Sequence, residues 1–193
     1  IRAAVEKTFI PTWRSQRPVS VEHELIRPGS VEERDYQVNI AKAALTESTL
    51  VVLPTGMGKT VVALIVIAET LSKKEGKVLL MAPTKPLVEQ HSKFLRDHLL
   101  AHEPVMFTGE VSPPKRKELW HSGRLVVSTP QVIENDLEEG RISLKGVDLV
   151  VFDEAHRAVG DYAYVSIGKG FSETGGLALG MTASPGSDVA KIA

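Results

Sequence analysis

The stretch Thr49-Leu50-Val51-Val52-Leu53-Pro54-Thr55-Gly56-Met57-Gly58-Lys59-Thr60 constrains this chain more than any other. An apolar, β-branched run enters a glycine-rich loop, and the loop ends in Lys-Thr at the head of a helix-favouring segment, 59–73. Strand, glycine loop, Lys-Thr and helix in that order make a phosphate cradle. Gly56 and Gly58 let backbone N–H groups turn inward with no side chain in the way. The helix adds the positive end of its dipole. Lys59 should reach β- and γ-phosphates, and Thr60 should set its hydroxyl on Mg²⁺. The strict pattern has a glycine where this chain carries Leu53. A glycine turn beside a surface lysine is the bland alternative; the flanking strand and helix argue against it.

The same alternation runs through the rest of the chain. Strands are expected at 49–53, 78–82, 105–108, 125–128, 149–152 and 178–181. Helices are expected at 35–45, 59–73, 86–100, 114–121, 130–137 and 162–171. Pro86, Pro114 and Pro130 fall in first helical turns, and Thr129 is placed to N-cap one of them. Near-continuous apolar strands joined by helices predict an α/β fold, a mainly parallel sheet with helices on both faces. Ligands of such sheets sit beyond the carboxyl ends of the strands, so function belongs in the loops after them. Residues 1–30 differ in character, with Pro11, Pro18, Pro28, Phe9 and Trp13. The alternation Val19, Val21, His23, Leu25 reads as a short strand there. We expect an N-terminal extension packed on a domain spanning 31–186.

Composition excludes several classes. The 193 residues carry 23 basic and 24 acidic side chains, net −1, so the chain is no globally basic nucleic-acid binder. There is no cysteine, hence no disulfide, thiolate metal site or cysteine nucleophile. No apolar run approaches the roughly 18–20 residues that cross a bilayer. The start at Ile1, with Arg14, Arg17 and Glu22 following, has no signal-peptide layout. The expectation is a trimmed piece of a longer intracellular protein, cytoplasmic or at the nucleoid, nuclear if eukaryotic, with no membrane partner.

A second motif closes the strand Leu149-Val150-Val151-Phe152: Asp153-Glu154-Ala155-His156. A carboxylate at the end of a buried strand is costly unless a cation meets it. Asp153 is placed to hold Mg²⁺, and Glu154 to orient and deprotonate an attacking water. Two carboxylates opening a helix would look alike in isolation; the phosphate loop upstream favours the catalytic reading.

Together, Thr55–Thr60, Asp153–His156 and Thr182-Ala183-Ser184 resemble motifs I, II and III of superfamily 2 DEAH-box helicases, in order. Arg34-Asp35-Tyr36-Gln37 resembles the adenine-reading Q motif, with Gln37 as its glutamine. The run Ala82-Pro83-Thr84-Lys85-Pro86-Leu87-Val88-Glu89-Gln90-His91 resembles motif Ia, and Ser128-Thr129-Pro130-Gln131 motif Ib. The wording of these runs, and of Asp153 through Tyr164, is similar to archaeal Hef helicases and their FANCM relatives; the RIG-I/Dicer helicases are the next group. The Hef pattern has Asn where this chain has Asp161.

The resemblance implies the first RecA-like domain of a helicase motor, a P-loop NTPase three-layer sandwich that uses ATP and Mg²⁺. It implies a nucleotide site of Arg34, Gln37, Leu53, Pro54, Thr55, Gly56, Met57, Gly58, Lys59 and Thr60, with Lys59, Asp153 and Glu154 catalytic. Thr60 and Asp153 would hold the metal; His156, Thr182, Ala183 and Ser184 would couple hydrolysis to movement. Thr84, Lys85, Gly109, Thr129 and Pro130 would meet a nucleic-acid backbone, branched or forked DNA in the Hef reading. The arginine finger would lie in a second RecA-like domain, with 187–193 starting the linker, so this piece by itself is expected to be nearly inactive. An RNA-directed ATPase and a non-catalytic binding module are the alternatives.

Lys115, Arg116, Lys117 and Arg124 either line a nucleic-acid path or form a solvated helix face. Trp120 reads as packing, and Met57 and Met81 as loop and core filler. His91, His98, His102 and His121 show no metal-ligand spacing.

Overall fold

The computed structural model describes residues 20–160 and 162–183. Phe9, Trp13, Val19, Asp161, Ser184 and the expected linker lie outside them. Six strands, β1 (Thr49–Val52), β2 (Lys77–Met81), β3 (Val105–Phe107), β4 (Leu125–Ser128), β5 (Val147–Asp153) and β6 (Leu177–Thr182), form one sheet. Its order is β1-β6-β5-β2-β4-β3, and every pairing is parallel. Helices α1 (Asp35–Ala44), α2 (Lys59–Lys73), α3 (Lys85–His98), α4 (Pro113–Ser122), α5 (Pro130–Glu138) and α6 (Ala163–Ser172) complete it. Each element expected between 31 and 186 is present, with ends shifted by two residues at most.

The strand period of two builds both helical layers. Val78 and Leu80 of β2 join α1, α2 and α3 in one apolar cluster. Leu79 and Met81 point the other way, into a cluster with Trp120 of α4, Ile133 of α5, and Ile167 and Phe171 of α6. Strand β4 is buried at all its positions, as a strand covered on both faces must be. Burial of each such Val or Leu is worth about 1.5–3 kcal/mol. The edge strand β1 departs from this expectation: Leu50 and Val52 stay 41% and 39% exposed. They lie on the face of β1 opposite Val51, and among the described residues β1 pairs with β6 alone.

Two local expectations fail. No strand forms at 21–25; the chain makes isolated antiparallel bridges, Ser20 with Glu32 and Ile26 with Leu99. Its alternating pattern serves another purpose. Val21 and Ile26 plug the helical layer, while His23 Nε2 lies 2.9 Å from Glu69 of α2. Backbone bonds from Arg27 N–H to His98 O, 2.7 Å, and from Leu100 N–H to Leu25 O, 2.9 Å, tie this segment to the end of α3 instead of a sheet. Thr129 does occupy the N-cap position of α5, but its side chain makes no capping bond. Pro130 in the first turn already removes one N–H that would need an acceptor.

Candidate nucleotide and nucleic-acid site

Because every strand is parallel, all the motif loops leave the same edge of the sheet. The order β1-β6-β5 sets the loop after Val52, Thr182 and Asp153 side by side; β2-β4-β3 continues with Thr84–Lys85, Thr129–Pro130 and Thr108–Gly109. The edge thus divides into a phosphate-and-carboxylate half and a half lined by hydroxyls, N–H groups and Lys85.

In the first half, Gly56 and Gly58 take φ of 85° and 76°, left-handed values that glycine adopts without a Cβ penalty. Gly58 is required twice, because a Cβ there would run into the Gln37 amide. Lys59 Nζ donates to Leu53 O at 2.8 Å, across the loop. Leu53 N–H is bound in turn to Thr182 O at 3.1 Å, which fixes the loop's start to the end of β6. Thr60 follows Lys59 in the first turn of α2.

From α1, Tyr36 Oη donates to Met57 O at 2.7 Å and Gln37 Nε2 donates to the same carbonyl at 3.2 Å. Gln37 is buried, and its Oε1 has no hydrogen-bond partner among the described residues. A buried amide oxygen without a donor is costly and needs an N–H to meet it. Arg34 stands at the N-cap of α1, 3.7 Å from Glu32, with no bond to the loop. Pro54, Thr55 and Met57 form the loop's exposed rim.

Asp153 is the last residue of β5 and is buried. Its Oδ2 lies 2.8 Å from Nε2 of His91 on α3, and its carbonyl accepts from Tyr164 Oη of α6 at 2.7 Å. Tyr164 also reaches Met81 O at 3.0 Å, so one phenol ties the ends of β2 and β5; burial pushes that phenol's pKa far up. Glu154 takes φ 52° and ψ 48°, a left-handed conformation rare for a side-chain-bearing residue and typical of strained functional turns. No α-helix opens at the pair; a three-residue 3-10 turn, Ala155–Arg157, follows.

His156 Nδ1 faces Glu154 Oε2 at 3.3 Å and Thr182 Oγ1 at 2.9 Å. One imidazole therefore bridges the acidic motif and the Thr182–Ala183 motif. No group of three His, Cys, Asp or Glu side chains able to cage a metal exists among the described residues. Asp153, a buried carboxylate with an imidazole but, among the described residues, no Lys or Arg in hydrogen-bonding range, fits the way Mg²⁺ is held: one or two protein oxygens, with phosphate and water for the rest.

The second half of the edge is less bare than its motifs suggest. Lys85 is ion-paired with Glu110, and lies 3.7 Å from Glu89; the Glu110 hydrogen bond holds its pKa above the usual lysine value. Thr84 is the N-cap of α3, Gly109 has open space where a Cβ would stand, and Thr129–Pro130 open α5. The basic stretch 115–124 divides. Arg116 is buried against Asp136, with bonds of 2.6 and 2.8 Å. Arg124 spans the carbonyls of Leu71, Lys74 and Gly76, and Lys115 pairs with Glu118 at 2.9 Å. Arg116 and Arg124 are thereby engaged within the fold, and the exposed Lys115 and Lys117 are what this stretch leaves for a nucleic-acid path. Trp120 packs against Phe107, ring centroids 6.2 Å apart.

Residues 34–192 match the DEAD/DEAH box helicase family. The chain belongs to that family. It is 40% identical over 171 residues to the ATP-dependent DNA helicase MPH1 of Vanderwaltozyma polyspora, covering 86% of this chain and 17% of that protein. Identity to the mouse Fanconi anemia group M protein homolog is 40% over 174 residues, 86% of this chain and 8% of that one. An archaeal relative in Methanocaldococcus jannaschii, whose name places it among ATP-dependent RNA helicases, is 48% identical over 174 residues, 89% of this chain and 22% of its own length. The chain thus spans about a fifth or less of these relatives. The crystal structure of the Pyrococcus furiosus Hef helicase domain superposes with TM-score 0.81 at 46% identity, over 84% of this chain and 35% of that one. The UvsW helicase of bacteriophage T4, TM-score 0.66 at 23% identity, shares the fold over 83% of this chain and 56% of its own. The architecture is therefore the RecA-like helicase fold of the Hef/FANCM branch. No helix among the described residues is long and apolar enough to cross a membrane.

Three residues that the motifs did not flag shape this site: Tyr36, His91 and Tyr164. Each lay inside a stretch with family wording, but only the fold shows what its side chain touches.

Proposed function

We propose that this chain is the nucleotide-binding half of an ATP-dependent helicase or translocase that acts on branched or forked DNA. The reading rests on one arrangement above all: a phosphate loop braced by Lys59 and Gln37, beside a buried Asp153, with Glu154 and Thr182 bridged by His156.

In this reading the loop N–H groups and Lys59 bind the β- and γ-phosphates of ATP. The adenine's exocyclic amine supplies the N–H that Gln37 Oε1 lacks. Thr60 and Asp153 hold Mg²⁺, which screens the charge of the transferring phosphoryl group when bound. Glu154 takes a proton from the attacking water. His156 and Thr182 carry the change at the γ-phosphate toward the strand-binding half, where Thr84, Lys85, Gly109, Thr129 and Pro130 meet the backbone. A second RecA-like domain of the full-length protein supplies the remaining cation, and the protein works where cellular DNA is kept, cytoplasm or nucleus.

RNA is the second reading, favoured by the name of the archaeal relative. ATP turnover by the full-length protein, measured with forked DNA, plain duplex DNA and duplex RNA, separates them. Strongest stimulation by forked DNA is expected; strongest stimulation by RNA overturns the DNA assignment.

A further inference from the structure

We propose that His91 is a positioning residue for the metal-binding carboxylate of Asp153. The inference rests on the nucleotide-site reading above and deepens it.

Helix α3 buries one stripe of its surface, Val88, His91, Ser92 and Leu95. Val88 and Leu95 pack in the apolar cluster; His91 is the member of the stripe whose ring ends on a charge-bearing group. Its Nε2 lies 2.8 Å from Asp153 Oδ2, with the two side chains only 8% and 9% exposed. An ionised carboxylate can only accept, so Nε2 carries the hydrogen and donates. Buried side chains have few rotamers open to them, and this bond selects one for Asp153. Oδ2 is engaged, leaving Oδ1 as the free oxygen for a cation or a cation-bound water. Tyr164 holds the same residue's carbonyl from the opposite helical layer. Asp153 is therefore clamped at backbone and side chain by α6 and α3. Groups that orient a metal ligand in this way change metal affinity or activity by about 10–100-fold when removed. Only folding brings His91 to Asp153, 62 residues along the chain.

The experiment uses the full-length protein and a fluorescent ADP analogue, titrated in EDTA and then across a range of MgCl₂. His91→Leu, which fills the space and removes the donor, should raise the Mg²⁺ concentration for half-maximal effect by about 10–100-fold while leaving affinity in EDTA unchanged. His91→Gln carries an amide Nε2 at similar reach and should return the Mg²⁺ requirement close to wild type. If His91→Leu does not fold, His91→Asn, one methylene short of Asp153, takes its place under the same criteria. An unchanged Mg²⁺ requirement in the folded variant that cannot make this bond overturns the proposal. So does equal impairment of that variant and His91→Gln, or an equal loss of affinity in EDTA, which marks general damage to the fold. A wild-type protein that binds no ADP overturns the nucleotide-site reading instead.

Discussion

The imidazole Nδ1 of His156 lies 2.9 Å from Thr182 Oγ1, joining the loop after β5 to the end of β6. The same nitrogen faces Glu154 Oε2 at 3.3 Å. Thr182→Val keeps the shape and removes the hydroxyl at about 1 kcal/mol, so the unwinding rate should fall by up to about fivefold. ATP turnover should change less than unwinding. Parallel assays of both on forked DNA with the full-length protein check this, and a proportional fall in the two rates would remove the coupling role.

Lys59 and Glu154 should separate binding from chemistry. In the proposed site Lys59 is the cation nearest the phosphates, so Lys59→Ala should abolish nucleotide binding or turnover. Glu154→Gln keeps shape and hydrogen bonding without the base: nucleotide affinity should remain while hydrolysis drops by about 10²–10⁴-fold. Calorimetric ADP binding beside multiple-turnover ATPase gives both readings. Loss of binding in Glu154→Gln would assign that residue to the metal or the fold.

The buried pair Arg116–Asp136 should carry stability, not nucleic-acid affinity. Asp136 has no exposure and also accepts from Arg141 at 2.6 Å. Burial pushes its pKa up, but the hydrogen bonds of Arg116 and Arg141 outweigh it, so the folded value lies below the ordinary carboxylate. The stabilisation is then full above the unfolded value of about 3.9 and drains away as pH falls below it toward the folded value. Asp136→Ala, leaving Arg116 buried and unpaired, should cost about 3–5 kcal/mol. Denaturant melts between neutral and acid pH should show a weaker acid slope in Asp136→Asn than in wild type. Unchanged melting with reduced DNA affinity would return Arg116 to the nucleic-acid path.

If Lys85 meets the nucleic-acid backbone as proposed, Glu110, to which it is ion-paired, competes with the phosphate. Exposed pairs of this kind are worth about 0.2–1 kcal/mol, so Glu110→Gln should tighten forked-DNA binding by roughly 1.4- to 5-fold. Lys85→Ala should weaken it uniformly across sequences and flatten its salt dependence. Fluorescence anisotropy across a salt series measures both. Weaker binding in Glu110→Gln would mean that the carboxylate orders the loop.

Much of this was legible in the one-dimensional chain, for a physical reason. Strand and helix periods are local, and the phosphate loop and Asp-Glu-Ala-His announce themselves because each chemistry needs neighbouring residues. The alternation of apolar strands and helices from residue 31 onward predicted a parallel α/β sheet with its ligands at one edge, and the runs 49–60 and 149–156 named the chemistry expected there. Where local pattern served a distant partner, reading failed. The alternation 19–25 looked like a strand, yet Val21 and Ile26 are plugs in a helical layer and His23 answers Glu69. Arg116 read as either a nucleic-acid contact or part of a solvated helix face, because the acid it is buried against lies 20 residues away.

The sequence by itself determined the order of elements and the chemistry of each loop. The tertiary structure decided which loops stand together. Crossovers that place β6 between β1 and β5 bring Thr182 against His156 and bind Leu53 to the end of β6. Packing of α3 and α6 on opposite faces of the sheet lets His91 and Tyr164 grip one aspartate. Sheet order and helix docking are set by the summed burial of whole elements, and no single motif carries that sum.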